Sequence, residues 1–171
     1  MGELAVTAVG ADRPGIIARV TGVLLEHGGN LEDSSMTILG GQFAIALLVR
    51  ADSGAAELER ALAAATQDLG LLVAVREVDP QGRSAEPTHM VSVYGADRPG
   101  IVHAVAETLA EHEVNVTDLT TRVLGDERPV YAMVLEVALP GDVTDAALDA
   151  ALREAVAGVE VTVRPLDDTA L

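Results

Sequence analysis

At 171 residues, about half of them apolar, the chain has material for one large domain or two small ones. It contains no cysteine, which excludes disulfides, thiolate nucleophiles and cysteine-based zinc or iron–sulfur sites. A net charge of −16, from 27 acids against 11 bases that are all arginine, would repel phosphates, and Phe43, Tyr94 and Tyr131 are too few for base stacking, so no direct nucleic-acid binding is expected.

Met1 to Leu4 is acidic rather than basic and leads straight into a strand pattern, which reads as neither a signal nor a transit peptide. With no apolar run near the ~18 residues of a membrane span, a cytoplasmic protein is the expectation. Residues 4–9 read as a short strand that stops at Gly10 and an Asp12-Arg13-Pro14-Gly15 turn. The spacing predicts a helix starting with Pro14 at its first position and Asp12 or Arg13 as its cap. Ile16, Val20, Val23 and Leu24 then form one apolar face, and Gly28-Gly29 ends the helix. Extended residues from Asn30 to Leu39, a Gly40-Gly41 turn and a return strand over Phe43–Val49 make a hairpin. Ser53 is placed to cap a second helix carrying Leu58, Leu62, Ala65 and Leu69, and Leu71 to Val78 form a last strand.

The order β-α-β-β-α-β buries apolar surface best as a four-stranded antiparallel sheet with both helices on one face, the α+β ferredoxin-like arrangement. The chain then does this again. Gly10-Ala11-Asp12-Arg13-Pro14-Gly15-Ile16 recurs as Gly95-Ala96-Asp97-Arg98-Pro99-Gly100-Ile101 at an offset of 85, and His27, Asn30 and Asp33 match His112, Asn115 and Asp118. The second copy predicts strands at Met90–Tyr94, Asn115–Leu124, Val130–Ala138 and Val159–Arg164, with helices from Pro99 to His112 and Thr144 to Val156. Its hairpin holds three extra residues within Asp126-Glu127-Arg128-Pro129. The expected organisation is a module at 1–79, a linker at 80–87, a second module at 88–166 and a tail at 167–171. Phe43 to Val49 and Leu71 to Val75 are apolar at both parities, so each sheet is expected to be covered on both faces, the second by the other module or by another chain. A homodimer is the expected assembly.

The strand–helix junctions are the candidate binding sites. Gly10 and Gly15, and Gly95 and Gly100, permit close backbone approach, and the helix starts at Pro14-Gly15-Ile16 and Pro99-Gly100-Ile101 offer N–H groups suited to an amino-acid carboxylate. Asp12 and Asp97 would orient an ammonium, and Asn30 and Asn115 would supply an amide if a ligand bridged two modules. The same residues could equally serve only as caps and turns. Arg13 and Arg98 read as surface ion-pair partners, and His27 and His112 sit where a helix dipole favours a partly protonated ring. His89 and His103 have no carboxylate at ligand spacing, so no metal is expected, and Asp142, Asp145 and Asp149 read as the solvated start of the last helix. There is no nucleophile elbow, phosphate loop, dinucleotide fingerprint or HExxH, and Asp12 and Asp97 belong to separate modules; neither an enzyme nor a cofactor is expected.

Asp-Arg-Pro-Gly-Ile at the first strand–helix junction, with an asparagine about fifteen residues on, resembles the ACT domain, a regulatory amino-acid-binding module. Asp12, Pro14, Gly15 and Asn30, and again Asp97, Pro99, Gly100 and Asn115, match its pattern, and the resemblance covers nearly the whole chain. Residues 10–17, 29–34 and 39–43 more narrowly resemble the tandem-ACT family of glycine cleavage system transcriptional repressors. That resemblance implies a protein that binds glycine or a similar small amino acid and acts through a partner protein such as a transcription factor. ACT modules also occur in regulatory subunits of biosynthetic enzymes, such as the acetolactate synthase small subunit, as ligand-free assembly scaffolds, and before the catalytic domain of formyltetrahydrofolate deformylases. Serine-binding members carry a histidine where this chain has Gly10 and Gly95.

Overall fold

Residues 2–79, 85–125 and 130–166 are described in the structure, a computed structural model. The first unit runs β1 (Gly2–Ala11), α1 (Ile16–Glu26), β2 (Asn30–Leu39), β3 (Gln42–Ala51), α2 (Ala55–Ala65), a 3-10 turn at Gln67–Leu69 and β4 (Leu72–Glu77). The second runs β5 (His89–Ala96), α3 (Ile101–Glu111), β6 (Asn115–Leu124), β7 (Val130–Ala138), α4 (Asp145–Ala155) and β8 (Glu160–Pro165). Both sheets are antiparallel, ordered β2-β3-β1-β4 and β6-β7-β5-β8. This is the ferredoxin-like arrangement, built twice, and the chain divides into units Met1–Arg83 and Ser84–Leu171.

The apolar stripe read along α1 is the stripe that is buried. Ile16, Val20, Val23 and Leu24 pack with Leu58 and Leu62 of α2 on the alternate residues Phe43, Ile45, Leu47 and Val49 of β3 and Leu4, Val6 and Ala8 of β1. In the second unit Ile101, Val105, Leu109, Leu148 and Leu152 close over Val91, Val93, Met133, Leu135 and Val137. The intervening β3 residues, Ala44, Ala46 and Leu48, lie on the face opposite the helices.

Several boundaries differ from the sequence expectation. Pro14 is not the first helical residue and neither Asp12 nor Arg13 caps α1: the cap is Gly15, with φ +92°, and no side chain bonds the helix start. Gly100 does the same for α3 with φ +95°. Ser53 does not cap α2, whose cap is Gly54, whereas the Thr144 hydroxyl accepts from the Ala147 amide at 3.3 Å and caps α4. α1 closes in a Schellman motif, with Gly28 N–H bonded to Leu25 C=O at 3.1 Å and Gly29 N–H to Leu24 C=O at 2.7 Å. The second copy builds the same motif with Glu113 in place of Gly28, at φ +55°.

Gly40 and Gly41, at φ +56° and +77°, turn the first hairpin. Residues 126–129 of the expected hairpin insertion, 80–84 of the expected linker and 167–171 of the expected tail lie outside the described residues. Ala85 to Thr88 carry no regular structure.

One edge of each sheet is sealed by side chains. The outward N–H of Val75 on β4 donates to Glu59 Oε2 at 2.8 Å. On β8, Arg153 donates to Val161 C=O at 2.6 Å while the Val163 amide bonds the Asp149 carboxylate. Asp149 and Arg153 also pair with each other at 2.5 Å. The expectation that Asp145 and Asp149 are merely solvated is therefore corrected: Asp149 pairs with Arg153 one turn along the same helix, and long-range packing gives Asp145 the His89 ring, 3.1 Å away. The opposite edge strand β2 is exposed along its whole length.

Candidate functional site

A Pro-Gly pair makes the junction between β1 and α1. Asp12 ends the strand by donating its N–H to Gly41 C=O at 2.9 Å, Pro14 starts the turn, and Gly15 enters the left-handed region that lets the chain fold back into a helix. The first α1 bond is Arg19 N–H to Gly15 C=O at 3.0 Å, so the amides of Ile16, Ile17 and Ala18 precede the helical ladder. No acidic residue occupies the first turn of α1. The positive helix-end potential is therefore not offset by an acid within that turn. A cavity of about 310 Å³ opens there, walled by Asp12, Arg13, Gly15, Ile17, Met36 and Phe43.

The counterpart at α3 starts with Ala104 N–H to Gly100 C=O at 2.9 Å and has a cavity of about 210 Å³ that turns toward α4. Arg98 donates to the Ala157 carbonyl at 2.6 Å across that side. This corrects the surface ion pair expected for it: the ion pairs among the described residues involve neither Arg13 nor Arg98. Sequence repetition thus produces two equivalent helix starts within unequal surroundings.

The structure brings Gly10, Asp12, Pro14, Gly15 and Ile16 together, and likewise Gly95, Asp97, Pro99, Gly100 and Ile101, but it separates both groups from their asparagines. On β3, Gly10 lies opposite Phe43 and Asn30 opposite Arg50, seven residues apart. At about 3.4 Å per residue that is roughly 24 Å. Gly95 opposite Tyr131 and Asn115 opposite Ala138 repeat the separation. Asn30 donates to Glu32 Oε1 at 3.1 Å, and Arg50 holds the other oxygen of that carboxylate at 3.0 Å.

Gly10 and Gly95 have a packing cause. A Cβ at Gly10 would stand 2.7 Å from Leu71 Cδ2, and one at Gly95 would stand 2.5 Å from Val159 Cγ1 and 3.1 Å from Val159 Cα. At Gly15 and Gly100 the space is open, and only the positive φ asks for glycine.

No signal in the sequence marks Met36 and Phe43 as cavity walls, because that depends on hairpin register. Nor did it reveal Arg19, which reaches from α1 to the Ala65 carbonyl at 3.1 Å and pairs with Asp68, holding that carboxyl below its ordinary range. His27 and His112 each use Nδ1–H to donate to the carbonyl four residues back, at 2.9 and 2.8 Å. His89 is bridged between Thr88 Oγ1, at 2.8 Å, and Asp145. Among the described residues no three histidine or acidic side chains converge as a metal site would require. No helix among them is long and apolar enough to cross a membrane.

Comparison with known proteins adds three kinds of finding. Residues 3–76 and 89–157 each match a model of the ACT domain. The chain is 43% identical over 82 residues to a UPF0237 protein of Methanopyrus kandleri, a match that spans 46% of this chain and 91% of that one. It is 31% identical over 121 residues to the glycine cleavage system transcriptional repressor of Escherichia coli, spanning 70% of this chain but only 64% of the repressor. Among solved structures, an unknown protein from Galdieria sulphuraria superimposes with a TM-score of 0.83 at 26% identity, over 97% of this chain and 99% of that one.

Proposed function

The chain belongs to the ACT-domain family, with two domains in tandem, and on that footing we propose that it is a non-enzymatic, amino-acid-responsive regulatory protein acting through a partner protein. The observation that carries the reading is the uncapped start of α1: three amides ahead of the helical ladder, no acidic side chain in the first turn, and a cavity of about 310 Å³ beside them. A carboxylate is the group such a helix end favours. Asp12, at the wall of the same cavity, supplies the opposite charge for an ammonium, and together the two ends describe a free amino acid.

Because Asn30 lies at the far end of its own sheet, its amide reaches the ligand only from a neighbouring module, as Asn115 would for a site at Asp97. The ligand is therefore held where modules meet, in a homodimer, and stabilises that packing. A partner reads the packing. Similarity to the E. coli repressor supports a transcription factor as the partner and glycine or another small amino acid as the signal. The acidic chain, at −16, fits indirect action in the cytoplasm rather than contact with DNA.

A thermal-shift panel of the twenty amino acids tests this. A true ligand at a hundred times its dissociation constant adds about 2.7 kcal/mol of stability. Asn30→Ala and Asn115→Ala should remove the shift while leaving the unliganded melting temperature unchanged. No shift with any amino acid at millimolar concentration would refute the sensor and leave a ligand-free assembly scaffold.

A further inference from the structure

The sheet face of the first unit that points away from its helices has an order that the sheet register makes explicit. Four residues line up across it in one row: Asp33 on β2, Leu48 on β3, Ala5 on β1 and Arg76 on β4. The next row is Ser35, Ala46, Thr7 and Ala74, and the one after it Thr37, Ala44, Val9 and Leu72. Toward the other end, Arg50 of β3 stands opposite Glu3 of β1. On this face Leu72 is 80% and Val9 45% exposed. It also carries a shallow depression of about 240 Å³ between Asp33 and Arg76.

Each row reads as its own complement when reversed. Rotation about a two-fold axis parallel to the strands lays a second sheet on the first with β2 over β4 and β3 over β1. Asp33 then meets Arg76 of the second copy, Arg50 meets Glu3, the large Leu48 meets the small Ala5, and Val9 meets Ala44. Every such contact occurs twice, as an isologous interface requires. In a chain of net charge −16, this face sets Glu3 and Asp33 against Arg76 and against Arg50, which Glu32 of the same copy already holds at 3.0 Å, so Asp33 and Arg76 are the pair that the rotation newly joins. Four strands about 4.8 Å apart and rows spanning some 27 Å give roughly 500 Å² a side, about 1,000 Å² in all, the lower bound for a specific interface.

The second unit keeps the rule in part, with different residues. Arg122, Ala132, Tyr94 and Glu160 form a row in which arginine reverses onto glutamate and alanine onto tyrosine, whereas in the row Asp118, Glu136, Met90 and Arg164 only the ends are complementary and Glu136 reverses onto Met90.

We propose that this sheet face of the first unit is a homodimer interface, a second copy of the chain packing on it about a two-fold axis parallel to the strands. The proposal rests on the self-assembly reading above and names one surface for it. Because the rotation keeps each row over its own counterpart, Asn30 of the second copy stays seven residues along the strands from the Asp12 junction, and this contact is not the one that holds the ligand. Strand addition along the open β2 edge would leave Arg76 outside the contact, so that residue separates the two geometries.

Sedimentation equilibrium on the full chain and its charge-reversal variants is the test. Wild type should be a dimer. Asp33→Arg and Arg76→Asp alone each place like charges together twice, and should raise the dimer dissociation constant by more than about tenfold. Mixing the two variants should restore a heterodimer, because both of its charge pairs are then attractive. The double variant carrying both reversals should again form a homodimer, which keeps the test decisive if one single variant folds poorly. A wild-type dimer that both single variants preserve, or folded single variants that fail to pair on mixing, overturns the surface and leaves self-assembly standing. A wild-type monomer at 100-micromolar concentration, on the order expected for weak protein contacts, overturns both.

Discussion

Replacing Gly95 by alanine tests whether the glycines before the Asp-Arg-Pro-Gly turns serve packing. A new Cβ would sit 2.5 Å from Val159 Cγ1, 2.9 Å from its Cβ and 3.1 Å from its Cα. Rotating the valine relieves the first contact and leaves the other two, because Cα and Cβ move only with the backbone that leads into β8. Overpacking of this kind costs about 1–3 kcal/mol, against which alanine recovers roughly 0.5–1 kcal/mol of strand entropy. The net loss should be about 1–2 kcal/mol, which for a module of this size lowers its melting temperature by roughly 4–16 °C. Gly10→Ala is the milder case: its closest contact, Leu71 Cδ2 at 2.7 Å, is the end of a flexible side chain, and the nearest backbone atom, Gly70 O at 3.2 Å, is farther than Val159 Cα is from a Cβ at Gly95, so the change should cost less than Gly95→Ala. Calorimetry, with hydrogen exchange to assign the loss to β5 and β8, reads both. Gly95→Ala within 0.5 kcal/mol of wild type, about the size of an ordinary surface substitution, would refute the reasoning. So would Gly10→Ala being the more damaging of the two.

Gly15→Ala and Gly100→Ala meet no atoms and should each cost about 1–2 kcal/mol through the positive φ alone, read as a drop in denaturation midpoint. Conversely, Glu113→Gly places glycine where the first copy already has Gly28 and should stabilise the second unit by about 1 kcal/mol. Glu59→Ala removes the acceptor of the outward Val75 amide, whose hydrogen exchange should accelerate while β1 amides keep their protection. Asp149 gives an acid limb. Arg153 holds its carboxyl below the ordinary 3.8, so the stabilisation is complete above that pH and is lost as pH falls below it. Asp149→Asn should be less stable than wild type at neutral pH, and the gap should close as pH falls through that range.

Duplication and the apolar stripes were legible because they are local: Ile16, Val20, Val23 and Leu24 announce one buried face wherever α1 packs. The hairpin was legible from Gly40-Gly41, and the fold class from the order of elements. The helix start was misread because cap propensity points to Asp12, while the fold uses the Asp12 amide for Gly41 and lets a left-handed glycine begin the helix. His89 with Asp145, and Glu59 with the Val75 amide, join residues that meet only through strand order and helix placement. Nothing in their spacing reveals them. The separation of Asp12 from Asn30 belongs to the same class, since it follows from the register of β3 with both of its neighbours.

That separation constrains any sensor built from these modules. The helix start and the asparagine occupy opposite ends of one sheet, so a single module offers a ligand either a positively polarised helix end or an amide, never both. A ligand that engages both must hold two modules in one packing, and its binding energy then appears partly as stabilisation of that packing. Reciprocity follows: a change that loosens the packing by a given factor weakens the ligand by the same factor, even when it touches no ligand-contacting group. The Asp33–Leu48–Ala5–Arg76 row lies outside the Asp12 junction and includes no candidate ligand-binding residue. A dimer built on that row keeps each Asn30 at the Arg50 and Glu3 end of the sheets, away from both helix starts, so reversing its charges should change the dimer and leave the ligand affinity unchanged.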